Sequence, residues 1–249
     1  MVKLLCILGL GLCLCASLRA EDVAVRLPSG VEVVSERFAA PQGPILLWIT
    51  GDHGSVEAES RAAADLAGKG IEVWLTDWLG PYFLPQLPGS VAQVPDQDLG
   101  DWLAAIRRQE PGRALLLMAS GHAADLALRA ARDARERLHQ ETRGVVLLFP
   151  LLYRGLDIGI EPDYAAVVDA TRQRLALLVP QSSAGFWWRE RLKERLEAAG
   201  SQVALTVLPG VRDGFYRRMD ATDGETAAGA HLGETLWRLL QDVLGDIRP

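Results

Sequence analysis

Cysteine is the scarcest informative residue here: Cys6, Cys13 and Cys15 are the whole supply, and all fall in the first fifteen positions. A chain that loses that segment has no disulfide, no thiolate metal site and no cysteine nucleophile. Histidine is nearly as thin. His53, His122, His139 and His231 include no i, i+4 pair, which excludes a helical zinc motif, and no metal is expected. Phosphate-binding signatures are missing too, with no Gly-x-Gly-x-x-Gly after the first strand and no Gly-Lys-Ser/Thr. No cofactor is therefore expected. Positive charge is short: 26 Lys and Arg face 32 Asp and Glu, a net charge of −6. Without Lys3 and Arg19 the balance is 24 against 32, or −8, and no basic tract remains to meet nucleic acid or an anionic membrane. The first long apolar run, Leu4–Leu14, is too short to span a bilayer.

What is present begins with that run. Lys3 precedes it, Leu18-Arg19-Ala20 follows it, and Glu21-Asp22 comes next, the layout of a secretory signal peptide over residues 1–20. The expectation is an exported protein, periplasmic or secreted, with no stable membrane association once the leader is cut. A retained N-terminal anchor is the other reading. The chain has 249 residues, 49% of them hydrophobic and 23% charged, enough for one large core, so residues 21–249 are expected to form a single domain.

In chain order, Val23–Leu27 and Val31–Phe38 flank Pro28-Ser29-Gly30 and read as an antiparallel hairpin at a sheet edge. Ile45–Thr50, Ile71–Thr76, Val145–Phe149, Arg174–Val179 and Val203–Leu208 are apolar runs of strand length. Helical patterns cover Val56–Leu66, Leu99–Arg108, Phe186–Ala199 and Leu232–Leu244, with a short one over Ala165–Thr171. The Pro- and Gly-rich stretch 81–98 reads as a surface connection or as a lid over a site. Strands alternating with helices predict an α/β fold, a mostly parallel sheet with helices on both faces. Ligands in such sheets bind beyond the carboxyl ends of the strands. Trp48, Trp74 and Trp78 are expected in the core. Trp187 and Trp188 cannot both face inward, so one is expected at the surface.

The chemistry centres on Arg113–Arg132. Ala114–Met118 is apolar, Ala119-Ser120-Gly121-His122-Ala123-Ala124 is built of small residues, and a helical pattern follows. This is a strand, a sharp turn and a helix, the layout of a nucleophile elbow. Small residues two before and two after the nucleophile put its position at Gly121, which carries none. Shifting the frame by one gives Ser120, with Met118 and His122 where small residues are wanted.

The order of elements resembles the α/β-hydrolase superfamily over nearly the whole chain after residue 20. Ile45–Gly51 looks like its oxyanion-loop strand, Ala119–Ala124 like its elbow, and Leu208-Pro209-Gly210-x-x-Asp213-Gly214-Phe215 like its histidine loop. The resemblance implies a Ser, His and acid triad, but Gly121 stands at the nucleophile and Asp213 at the histidine. Gln181-Ser182-Ser183-Ala184-Gly185 replaces the acid loop. Gly51-Asp52-x-Gly54, with Asp77 and Tyr82-Phe83, also resembles the VirJ-type exported hydrolase-like proteins. An aspartate of ordinary pKa, about 3.9, cannot do an imidazole's work at neutral pH. The main expectation is a non-catalytic binding or accessory protein for a small-molecule ligand or a protein partner, with Asp52, His53, Gly121, Ser183 and Arg212 as contacts. The alternative is a hydrolase of an ester or similar acyl substrate with Ser120 or Ser183, His122 or His53, and Asp213 in a rearranged site. Asp52 is equally an N-terminal helix cap, His122 a first-turn residue, and Arg212 a salt-bridge partner of Asp213.

Overall fold

The structure is a computed structural model, and it describes residues 20–51, 56–155 and 160–245. Residues 1–19, and with them the expected leader, lie outside the described residues, as do Asp52 and His53. Among the described residues no helix is long and apolar enough to cross a membrane.

Eight strands form one sheet in the order β1-β2-β4-β3-β5-β6-β7-β8. β1 (Glu21–Arg26) and β2 (Glu32–Phe38) make the expected edge hairpin, and β2 runs antiparallel to β4 (Glu72–Thr76). From there β3 (Ile45–Ile49), β5 (Leu115–Ser120), β6 (Gly144–Leu148), β7 (Arg174–Pro180) and β8 (Gln202–Leu208) continue in parallel. β3 to β6 are buried throughout because helices cover both faces, which explains their unbroken apolar runs. β8, at the far edge, alternates between exposed and half-buried positions instead.

α2 (Asp96–Gln109) and α3 (Ala123–Leu138) cover one face, with Trp74, Trp78 and Trp102 in that core. α1 (Glu57–Gly68) and α6 (Leu232–Leu244) cover the other, where Trp48 packs. The three expected core tryptophans are buried, and Trp187 is 81% exposed. Two expectations shift. The helix expected from Phe186 begins only at Arg189 (α4, Arg189–Ala198), because Ser183 caps a 3-10 turn over Ala184–Trp188. Also, Asp223–Ala230 forms a helix, α5, where the sequence suggested only a polar stretch. Its start carries a capping box, the Thr222 hydroxyl accepting from Glu225 N–H and the Glu225 carboxylate accepting from Thr222 N–H.

The 81–98 connection is fastened to the domain. Tyr82 Oη donates to Asp98 at 2.5 Å, Trp78 stacks on Tyr82, and Arg129 donates to the carbonyls of Val91 and Val94.

Candidate active site at the carboxyl edge

The sharp turn after β5 falls at Gly121. β5 runs through Ser120, and Gly121 turns the chain with φ 58, a left-handed conformation that costs glycine nothing. Gly121 N–H donates to Leu148 O at 3.1 Å, and its carbonyl accepts from Leu151 N–H at 3.0 Å. These bonds pin the turn between β5 and the loop after β6. α3 starts two residues on, so its first-turn amides and the positive end of its dipole face the carboxyl edge. His122 is half-buried at the position preceding α3, and its imidazole does not cap that helix.

Ser120 is fully buried beneath the turn, and its hydroxyl lies beside Tyr216 Oη. It points into the gap beside Gly51, where a Cβ would lie 3.1 Å from Ser120 Oγ and 2.9 Å from Arg217 Nη1. A hydroxyl so enclosed cannot reach an entering carbonyl without rearrangement.

The loop after β8 brings Asp213 to the elbow. Gly121, Asp213, Gly214, Arg217, Phe149 and Leu151 help line one cavity of about 470 Å³, within the range of small-ligand sites. Phe149 holds φ 38, a left-handed conformation unusual for an aromatic residue, and such strain gathers at functional sites. Asp213 is half-buried; burial drives its pKa up to about 6 against the opposing pull of the Ser183 hydroxyl and the Arg218 charge. The sequence-based expectation of an ordinary aspartate at this point is thus corrected by its environment. Ser183 has one proton to give; Pro180 O accepts it at 2.8 Å and the Asp213 carboxyl lies beside it, while Ser183 Oγ accepts from Phe186 N–H. Asp213 thus borders one cavity with Gly121 and a second, small one with Ser183.

Arg212 does not join them. Its guanidinium binds Glu225 at 2.6 Å and Asp220 at 3.0 Å, so the suggested pairing with Asp213 is replaced by a link to α5. Three residues the sequence did not single out complete the surroundings. Glu59, on α1, is fully buried and accepts from Tyr216 Oη at 2.9 Å and Val56 N–H at 3.3 Å. Burial raises its pKa, with Tyr216, Arg217 and Val56 pulling the other way. Arg217 lies between them and the cavity. No local signal separates it from the neighbouring arginines. Among the described residues, no group of three or more His, Cys, Asp or Glu side chains is placed to hold a metal ion.

A larger cavity of about 780 Å³ opens at the amino edge, lined by residues 39–44, 67–71 and 112–114 with Trp237 and Gln241. Its two cations are engaged, Lys69 with Glu234 and Arg113 with Glu72, and no carboxylate lines it.

No family model matches the chain, and no curated protein is significantly similar in sequence. Solved structures are similar in fold. An esterase from Pyrobaculum calidifontis superposes with a TM-score of 0.67 at 16% identity, covering 89% of this chain and 84% of its own. Carboxyl esterase 2 from Tuber melanosporum gives 0.64 at 13% identity over 89% and 87%. Thermogutta terrifontis esterase 2 gives 0.63 at 16% identity over 92% and 96%. These likenesses concern the sheet and its helices, and they do not bear on the VirJ-type similarity. With an eight-stranded, mostly parallel sheet and TM-scores of 0.63 to 0.67 over most of both chains, this chain has the α/β-hydrolase fold.

Proposed function

We propose that the chain hydrolyses an ester or similar acyl substrate through a rearranged site with Asp213 as general base. The observation that carries the reading is the shared cavity: Gly121 leaves the nucleophile's place empty of side chain, and Asp213 borders the same space. A water molecule there takes the serine's part. The Asp213 carboxylate accepts a proton from that water as its oxygen bonds to the acyl carbon. The resulting oxyanion faces the positive amino-terminal end of α3. The tetrahedral adduct then collapses, the bond to the leaving oxygen breaks, and that oxygen takes the proton from Asp213. Acid and alcohol leave with one water consumed and no acyl-enzyme formed. A base whose pKa lies near the working pH is the efficient kind, and about 6 is close enough to serve.

The esterase neighbours favour hydrolysis as the activity class. The alternative is a binding or accessory protein that uses the same cleft with Asp213, Ser183 and Gly121 as contacts. The lack of a hydroxyl at Gly121 favours it. In either reading the composition of residues 1–20 supports export.

Short-chain p-nitrophenyl esters test this directly. Turnover by the purified protein, lost in Asp213→Asn and kept in Ser120→Ala, is the expected result. Labelling by a fluorophosphonate probe, abolished by Ser120→Ala, would instead mean a serine enzyme.

A further inference from the structure

The arginines near the cavity differ in how they are occupied. Arg212 is bound by Glu225 and Asp220, and Arg218 by both oxygens of Asp220. Arg217 Nη1 is buried and has no hydrogen-bond partner among the described residues. The Glu59 carboxylate, which accepts from Tyr216 Oη and Val56 N–H, lies near enough to feel its charge but is not hydrogen-bonded to Nη1.

The guanidinium is held rather than loose. Gly51 lies against its two terminal nitrogens, so that a Cβ there would come within 2.9 Å of Nη1 and 3.2 Å of Nη2. Gly214, at φ 62, packs against Nε, where a Cβ would sit at 3.1 Å. The rings of Phe149 and Tyr216 lie 5.7 and 5.8 Å away. Two glycines and two neighbouring aromatic rings surround the guanidinium, and Arg217 borders the cavity that Gly121 and Asp213 also line. Arginine does not shed its proton, and with Nη1 unbonded among the described residues this partly buried guanidinium is placed to meet an anion from outside. Beside the guanidinium lies the buried Ser120 hydroxyl, next to Tyr216 Oη. The two other carboxylates bordering the cavity do not fill the role. Asp220 is held by Arg212 and Arg218, and Asp213 lies beside Ser183.

We propose that Arg217 binds an anionic group of the ligand, a carboxylate or a phosphate, so that the cleft selects acyl compounds carrying a second, negatively charged end. The acyl part rests on the proposed hydrolase reading; the anion part does not. Arg217 is a specificity residue in this account, and Gly51 and Gly214 shape its seat.

Two probes separate the claims: p-nitrophenyl hemisuccinate, which is anionic, and p-nitrophenyl butyrate, which has the same acyl length and no charge. The expected result is a preference for the hemisuccinate in kcat/KM that falls about tenfold or more in Arg217→Met, mainly through KM. Arg217→Lys should restore only part of it, since lysine keeps the charge and loses the fork. Calorimetry with succinate is the arm that needs no turnover: binding that weakens with salt and is lost in Arg217→Met supports the anion site. If neither ester turns over while succinate binds through Arg217, the hydrolase reading fails and the anion site stands. Turnover with equal preference in wild type and Arg217→Met, or succinate binding unchanged by Arg217→Met, overturns the anion site. So does a wild type that neither binds succinate nor favours the hemisuccinate. Thermal midpoints of both variants show whether a lost signal is lost folding, and Arg217→Lys then carries the comparison.

Discussion

The two edges of the sheet treat their buried charges in opposite ways. At the amino edge Glu72 is fully buried and fully used. Arg37 Nε donates to it at 2.8 Å, Arg113 Nη1 at 2.9 Å, Trp74 Nε1 at 2.7 Å and Ala40 N–H at 3.3 Å. Burial alone would raise its pKa, but the bonds from Arg37, Trp74 and Arg113 outweigh that and hold it below the ordinary range. At the carboxyl edge the balance reverses. Burial wins at Asp213, Arg217 Nη1 has no hydrogen-bond partner among the described residues, and Phe149 sits in a strained conformation. One cluster ties β2, β4 and the loop before β5 together. The other keeps its polar capacity in reserve, which is how a site for an outside molecule differs from a structural ion pair.

Breaking the amino-edge cluster should have the largest effect on stability. Glu72→Leu strands Arg37 and Arg113, and a loss of roughly 3–5 kcal/mol is expected in urea unfolding. The matching change at the other edge, Asp213→Asn, should cost activity instead, about 10²- to 10⁴-fold in ester kcat/KM. Its effect on stability has the opposite sign. A carboxyl whose folded pKa exceeds its unfolded value of about 3.9 binds protons better when folded. The stability it contributes is therefore complete below about pH 4 and lost as pH rises through about 6. Asp213→Asn should remove that slope and stabilise the protein at pH 7 by roughly 1–2 kcal/mol, allowing for partial solvent screening. Chemical unfolding at pH 4, 5, 6 and 7 reads this. A wild-type stability that rises over that interval more steeply than the variant's would contradict it.

Gly51→Ala sharpens the comparison further. Its Cβ would press on the end of Arg217, so the hemisuccinate preference should drop severalfold while the unfolding midpoint moves little. Ser120→Ala should do least. It removes a buried hydroxyl whose neighbour, Tyr216 Oη, keeps its bond to Glu59, so stability should change by about 1 kcal/mol or less, in either direction, and turnover should survive. A large loss of turnover would put Ser120 back in the chemistry.

How much of this was legible in the sequence divides along the same line. The sheet was, because strands buried on both faces must be continuously apolar, and Ile45–Ile49, Leu115–Ser120 and Gly144–Leu148 are. The elbow frame was too, since small residues at Ala119 and Ala123 bracket Gly121. α5 could have been found from Thr222 and Glu225, a local capping signature lost in a polar stretch. The behaviour of the charges was not legible, because it depends on partners far off in the chain. Glu72 meets Arg37 and Arg113 from 35 and 41 positions away, and Tyr216 meets Glu59 from 157. Arg212, Arg217 and Arg218 look alike in a row, and only the fold assigns Glu225 and Asp220 to two of them. The raised pKa of Asp213 is likewise set by burial among loops after β6, β7 and β8.

The central claim is that Asp213, facing the empty place at Gly121, is the base. The pH dependence of kcat/KM for p-nitrophenyl hemisuccinate, measured for wild type and Asp213→Asn, tests it most directly. The account predicts a wild-type rate that climbs through about pH 6 and levels above it, and a variant with little activity and no such step. An unchanged profile in Asp213→Asn would contradict it.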